Sequence, residues 1–210
     1  DVCAIGAMYA DWTGYGAGVI NYLAVLEMSL DTAGTTFDMP GGTIFNAELG
    51  GVKPITGFND PYWKENVAES VAHAWYEGEP QPIHPWEEDT VPNYTGWEDE
   101  GRYTWVKAPR FQGKPMQVGP LSQVLVAFAQ GDETTVKWAS AALEKVSAVA
   151  GAKLGPGILH STIGRHAARA IRCAVIAEHS LKHWDLLVNN IASGDTAIFT
   201  PCEFPTGTIQ

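Results

Sequence analysis

Three groups of side chains in this 210-residue sequence are of types that do chemistry. The first is acidic: Glu77, the run Glu87, Glu88, Asp89, and the run Glu98, Asp99, Glu100, close in sequence to Trp86 and Trp97. Carboxylate pairs beside indole rings suit a glycosidase, in which two acids flank a sugar stacked on an aromatic face. The plainer alternative is a solvated acidic loop, and loop residues have no fixed spacing that decides between the two. The second group is cationic. Lys107 and Arg110 lie beside aromatic residues, and Arg165, Arg169 and Arg172 fall at i, i+4 and i+7, on one face of a helix. Like charges so placed repel unless anions answer them. They are either a solvated rim or a contact with acidic groups elsewhere in the protein, a role that suits the bidentate guanidinium. The third group is sulfur and imidazole. Cys3, Cys173 and Cys202 are odd in number and far apart, so they imply no disulfide framework and no CxxC zinc or redox motif. They read as buried or free thiols. His73 reads as a surface or hydrogen-bonded residue rather than a metal ligand.

The elements that must position these groups follow from periodicity and punctuation. Tyr103, Trp105 and Lys107 alternate with Thr104 and Val106, which predicts a short half-buried strand. Pro109 donates no hydrogen bond, so the strand ends near it or lies at an edge. Charges held beside aromatic rings need partners, and Glu77, Glu87 and the acidic run 98–100 are the available candidates. GYGAG at 14–18 lacks the third glycine of a dinucleotide fingerprint, since Val19 stands there. Close packing around Tyr9, Trp12, Tyr15 and Tyr22 is the better account, followed by a short helix through Val19, Leu23 and Leu26. From Thr32 to Asn59 the chain reads as irregular, with a tight turn at Pro40-Gly41-Gly42 and one short strand over Thr43 to Phe45.

Asp60-Pro61 is a helix start, with Trp63, Val67, Val71 and Trp75 at four-residue spacing after it. Pro120 opens another helix, buried through Leu121, Val124, Leu125 and Phe128 and ended by Gly131. Asp132 or Thr134 caps the next, with Val136, Ala139, Leu143 and Val146 inward and Gly151 past its end. Ser161 caps the last and longest, which Gly194 stops and which spans about 45 Å if it runs unkinked through His179-Ser180. The fold class expected is α+β, mainly helical, with long C-terminal helices and a few short strands.

The bulk numbers exclude several classes. A formal charge of −11 without any basic cluster argues against nucleic acid. There is no run of about 18 apolar residues to span a membrane, and no signal peptide is visible. Charged residues are sparse at 18% against 45% hydrophobic, so much of the surface is neutral or covered by something else.

Taken in order, WYEG at 75–78, HPWE at 84–87, Y-x-W-x-KAPR at 103–110, GKPM-x-VGPL at 113–121, and ST-x-GR-x-AAR at 161–169 with GDTA at 194–197 resemble the large subunit of nickel–iron hydrogenases, the uptake type above all. The resemblance runs from about Met8 to about Pro205. It implies reversible oxidation of dihydrogen to protons and electrons at a nickel–iron centre carrying cyanide and carbon monoxide. It also implies a small-subunit partner carrying iron–sulfur clusters, and membrane association through partner subunits, on the periplasmic side or in the cytoplasm. Family members hold their metals with two CxxC pairs, and neither pair is present here. Residues 1–210 are therefore read as a single internal segment that lacks both pairs and supplies scaffold. No catalytic residue or metal ligand is assigned; Glu77, Lys107 and Arg110, read as a buried charge network, together with Arg165 and Arg169, are expected to support the metal cage or the subunit contact. Two other readings stay open: the glycosidase-like hydrolase and a non-catalytic interaction subunit. If the segment is internal, its exposed apolar surface should exceed that of a free-standing domain.

Overall fold

A computed structural model describes residues 5–6, 8–31, 33–57, 59–78, 91–195 and 197. HPWE with Trp86 and Glu87, the acids Glu88 and Asp89 after it, Thr196 of the GDTA motif, and Cys3 and Cys202 lie outside these residues. Two compact units emerge, one from the described residues within Asp1–Phe58 and Gln117–Phe199, the other from those within Asn59–Met116.

The first unit joins a small sheet to three helices. Strands β1 (Tyr22–Ala24), β4 (Gly41–Ile44) and β5 (Lys53–Ile55) form an antiparallel sheet in the order β1-β4-β5, with Leu23 opposite Thr43 and Gly42 opposite Pro54. Strands β2 (Glu27–Ser29) and β3 (Phe37–Met39) make a separate hairpin. The predicted helix through Val19, Leu23 and Leu26 is replaced by β1. Gly16 and Gly18 take positive φ before it, and the backbone of Leu23 donates to the Gln117 carbonyl, a partner a helix would not need. The irregular stretch from Thr32 likewise contains β3, β4 and β5. Gly41 and Gly42 lie within β4 rather than in a tight turn. A Cβ on Gly41 would stand 2.9 Å from the Leu26 nitrogen, and one on Gly42 2.8 Å from the Lys53 carbonyl oxygen. These glycines exist for close backbone approach.

The predicted C-terminal helices are present. After the one-turn α1 (Pro61–Lys64) of the other unit come α2 (Pro120–Ala129), α3 (Glu133–Ala150) and α4 (Thr162–Ala192). Asp132 caps α3 by accepting from the Thr135 amide, and Gly151 ends it in the left-handed region. Ser161 caps α4 by accepting from the Gly164 amide at 2.9 Å. No break occurs at Ser180, whose hydroxyl donates to the Ile176 carbonyl within the helix. The core gathers Tyr22, Ile44, Leu121, Val124, Leu125, Ala168, Ile171 and Val175, all nearly solvent-free. The C-terminal half of α4 instead exposes Leu181, Trp184, Leu187 and Ile191.

In the second unit, Asp60 caps α1 (Pro61–Lys64) by accepting from the Tyr62 amide. The helix stops after one turn, because Asn66 turns its side chain back onto the Tyr62 carbonyl and Val67–Ser70 becomes β6. The four-residue stripe from Trp63 to Trp75 is thus not one helix. β6 pairs with β7 (Ala108–Phe111), Val67 opposite Phe111 and Glu69 opposite Pro109. The expected strand over 103–107 has moved to its C-terminal side: Thr104 makes only a bridge with Ala74, and Pro109 sits inside β7. A two-stranded ribbon leaves each strand an open edge, which is where a proline is tolerated.

Candidate functional site

In the second unit an aromatic cluster replaces a conventional core. Trp75 is buried, with Tyr94 and Trp105 at centroid distances of 4.9 and 5.2 Å, and its indole N–H donates to the Gly96 carbonyl at 2.7 Å. The Lys107 ammonium lies 5.5 Å from the centre of the Tyr76 ring and 3.6 Å from Glu69 Oε2. Its side chain is only 15% exposed, so it needs that carboxylate. Arg110 is half-buried and donates to the Pro109 carbonyl at 2.8 Å. Glu77 is exposed, not buried as expected. The ion-pair partner given to Lys107 is Glu69, a residue sequence reasoning passed over because its placement depends on the β6–β7 register. His73 is exposed and shares a hydrogen bond with the Gly101 carbonyl.

The acids read for sugar cleavage divide. Trp97 N–H donates to Asp99 at 2.6 Å on an exposed surface, while Trp86 and Glu87 fall outside the described residues.

In the first unit the GYGAG and ST-x-GR motifs meet. The Tyr15 carbonyl accepts from the Thr162 amide at 3.0 Å. Arg165 reaches back to the carbonyls of Gly16 and Ala17 and to Gln117 Oε1, the last two at 3.0 and 2.9 Å. The positive φ of Gly16 turns these carbonyls toward the guanidinium, and a Cβ there would collide with Thr162. Arg165 and Arg169 share a cavity of about 180 Å³ with Gln117, Val118, Pro120 and Leu121. Arg169 itself is exposed. Arg172 pairs with Glu27, which also accepts from Gln123. One of the three arginines is therefore answered by a carboxylate of this same chain, one by carbonyls, and one faces solvent.

Burial raises the Tyr22 phenol, against the nearby Arg165 charge, and the same two influences, burial first, lower the His160 imidazole to which it is hydrogen bonded. Asp38 is buried beside His179, Lys182 and His183. Burial works to raise its carboxyl, but hydrogen bonds from Lys182 and His183 outweigh this and hold it below the usual carboxylate range. The i, i+4 spacing of His179 and His183 was the signal available in the sequence for this cluster.

The profile of the nickel-dependent hydrogenases matches residues 1–210. The chain belongs to that family. Over 205 residues it is 38% identical to the Hydrogenase-2 large chain of Escherichia coli, covering 98% of this chain and 36% of that one. Against the uptake hydrogenase large subunit of Bradyrhizobium diazoefficiens it is 34% identical over 218 residues, covering 94% and 35% respectively. The Ni-Fe-Se hydrogenase of Desulfovibrio vulgaris Hildenborough in the reduced state superposes with a TM-score of 0.65 at 22% identity, over 98% of this chain and 38% of that one. The fold is thus that of part of a hydrogenase large subunit, and the chain spans about a third of the length of the curated relatives it matches. Nothing in these likenesses supports a sugar hydrolase.

Nickel and low-spin iron favour soft thiolate ligands. Among the described residues the one free thiol is Cys173, exposed on α4, and the sequence contains no CxxC pair. This donor set does not fit a nickel–iron centre.

Proposed function

We propose that this chain is a scaffold segment of the catalytic large subunit of a nickel–iron hydrogenase, an oxidoreductase that reversibly oxidises dihydrogen to protons and electrons. The observation that carries the reading is the family match over residues 1–210, joined to the absence of a CxxC pair in the sequence. The segment's work is then positional. The β6–β7 ribbon fixes Lys107 against Glu69, and the glycine-rich turn fixes Arg165 at the start of α4. Lys107, Arg110, Arg165 and Arg169, with exposed Glu77, are the side chains we assign to supporting the metal cage or the contact with another subunit. Iron carrying cyanide and carbon monoxide, a small subunit with iron–sulfur clusters, and membrane association on the periplasmic side belong to the same proposal. Likeness to uptake hydrogenase large subunits supports them. No described helix is long and apolar enough to cross a membrane.

Changing Lys107→Met in the complete enzyme removes the charge while keeping most of the side-chain bulk, and leaves Glu69 without its ion-pair partner. Metal incorporation or hydrogen-uptake activity should fall markedly, as measured by nickel content and dihydrogen oxidation. Wild-type turnover and nickel content would refute a supporting role for this lysine.

A further inference from the structure

We infer that Asp38, His179 and His183 form a binding site for a divalent transition-metal ion of the zinc type. The three ligand atoms, one from each residue, lie within 4.8 Å of one another. The histidines stand one helical turn apart on α4, so both rings point from the same face toward β3, where Asp38 sits. His179 is only 5% exposed; its Nε2 has no hydrogen-bond partner, and its Nδ1 faces only Asp38, as an ion-pair neighbour rather than in a well-formed hydrogen bond. A buried imidazole left so is costly unless something outside the protein's own donors and acceptors satisfies it. Its Nδ1 is 3.4 Å from Asp38 Oδ2. In a tetrahedral zinc site, ligands about 2.0–2.1 Å from the metal stand about 3.3 Å from one another.

The two carboxylate oxygens are already divided between roles. Oδ1 of Asp38 takes the Lys182 ammonium, while Oδ2 faces both imidazoles. Ligating carboxylates are commonly held by such an outer hydrogen bond, which fixes the free oxygen for the metal. His183 now touches Oδ2 directly. Its side chain is 37% exposed, so it has room to draw back and admit an ion between them. Two neutral imidazoles and one carboxylate leave a fourth position for water and suit zinc, cobalt or nickel over calcium or magnesium.

The test is zinc titration of purified protein carrying the full chain, wild type against His183→Gln and Asp38→Asn, with bound zinc read by elemental analysis after desalting. The wild type should retain one equivalent of zinc more than either variant, and cobalt in its place should give visible d–d absorption of a four-coordinate site. Exposed His166 lies elsewhere on α4, and His166→Gln should leave both readouts unchanged. His183 is partly exposed, so its replacement spares the core and serves as the variant least prone to misfolding. Equal zinc in wild type and His183→Gln, no saturable uptake by the wild type, or loss on His166→Gln would each overturn the site. Zinc retention and the cobalt spectrum are read independently of hydrogen-uptake activity, so a failure of this site is distinguishable from a failure of the hydrogenase reading.

Discussion

At the scale of single residues, the chain is held by polar contacts between positions far apart in sequence. Arg165 binds carbonyls at 16 and 17, Arg172 binds Glu27, and the Tyr22 hydroxyl meets His160. The last pair makes stability depend on pH. Burial, aided by the Arg165 charge, keeps the folded-state pKa of His160 below that of a free imidazole, about 6.5. Between the two values the unfolded chain binds more protons, so stability rises with pH there. It is lost as pH falls from about 6.5 through the folded-state value. Urea midpoints measured from about pH 7 to pH 5 should fall in the wild type and fall less steeply in His160→Gln; parallel slopes would contradict this account. The caps Asp60, Asp132 and Ser161 were legible in the sequence, because a cap acts within three residues. The partners of Lys107 and Arg165 were not, because strand register and a folded-back glycine turn decide them.

The elements divide along the same line. Helices α2, α3 and α4 follow from apolar spacing bracketed by proline, capping residues and glycine, all of it local information. The strands were largely missed. A three-residue strand such as Tyr22–Ala24 carries too few residues to show a period, and its identity comes from the strand and loop it meets. Trp63 to Trp75 misled for the opposite reason: a helical stripe was present, but pairing of Val67–Ser70 with β7 won. Gly164 shows how tightly α4 is seated. It occupies the first turn of the helix, and a Cβ there would overlap the Leu159 backbone, which cannot swing aside as a side chain could. Gly164→Ala should therefore destabilise the protein by about 1–3 kcal/mol in chemical denaturation, typical of overpacking. An unchanged or raised midpoint, as helix propensity alone predicts for this substitution, would show that the turn before α4 yields.

For the molecule as a whole, the sparse charge and the large apolar residues exposed along the end of α4 suit a surface that meets other protein. The mainly helical α+β class was readable from the C-terminal half alone, whereas the division into two compact units was not, since the first is built from two separated stretches of chain. The central claim is that this segment positions a nickel–iron centre without ligating it. Its most direct test is the nickel content of the complete large subunit in which Cys3, Cys173 and Cys202 are all changed to serine. The account predicts nickel at the wild-type level; a subunit that folds but loses its nickel would place a metal ligand within this chain and contradict it.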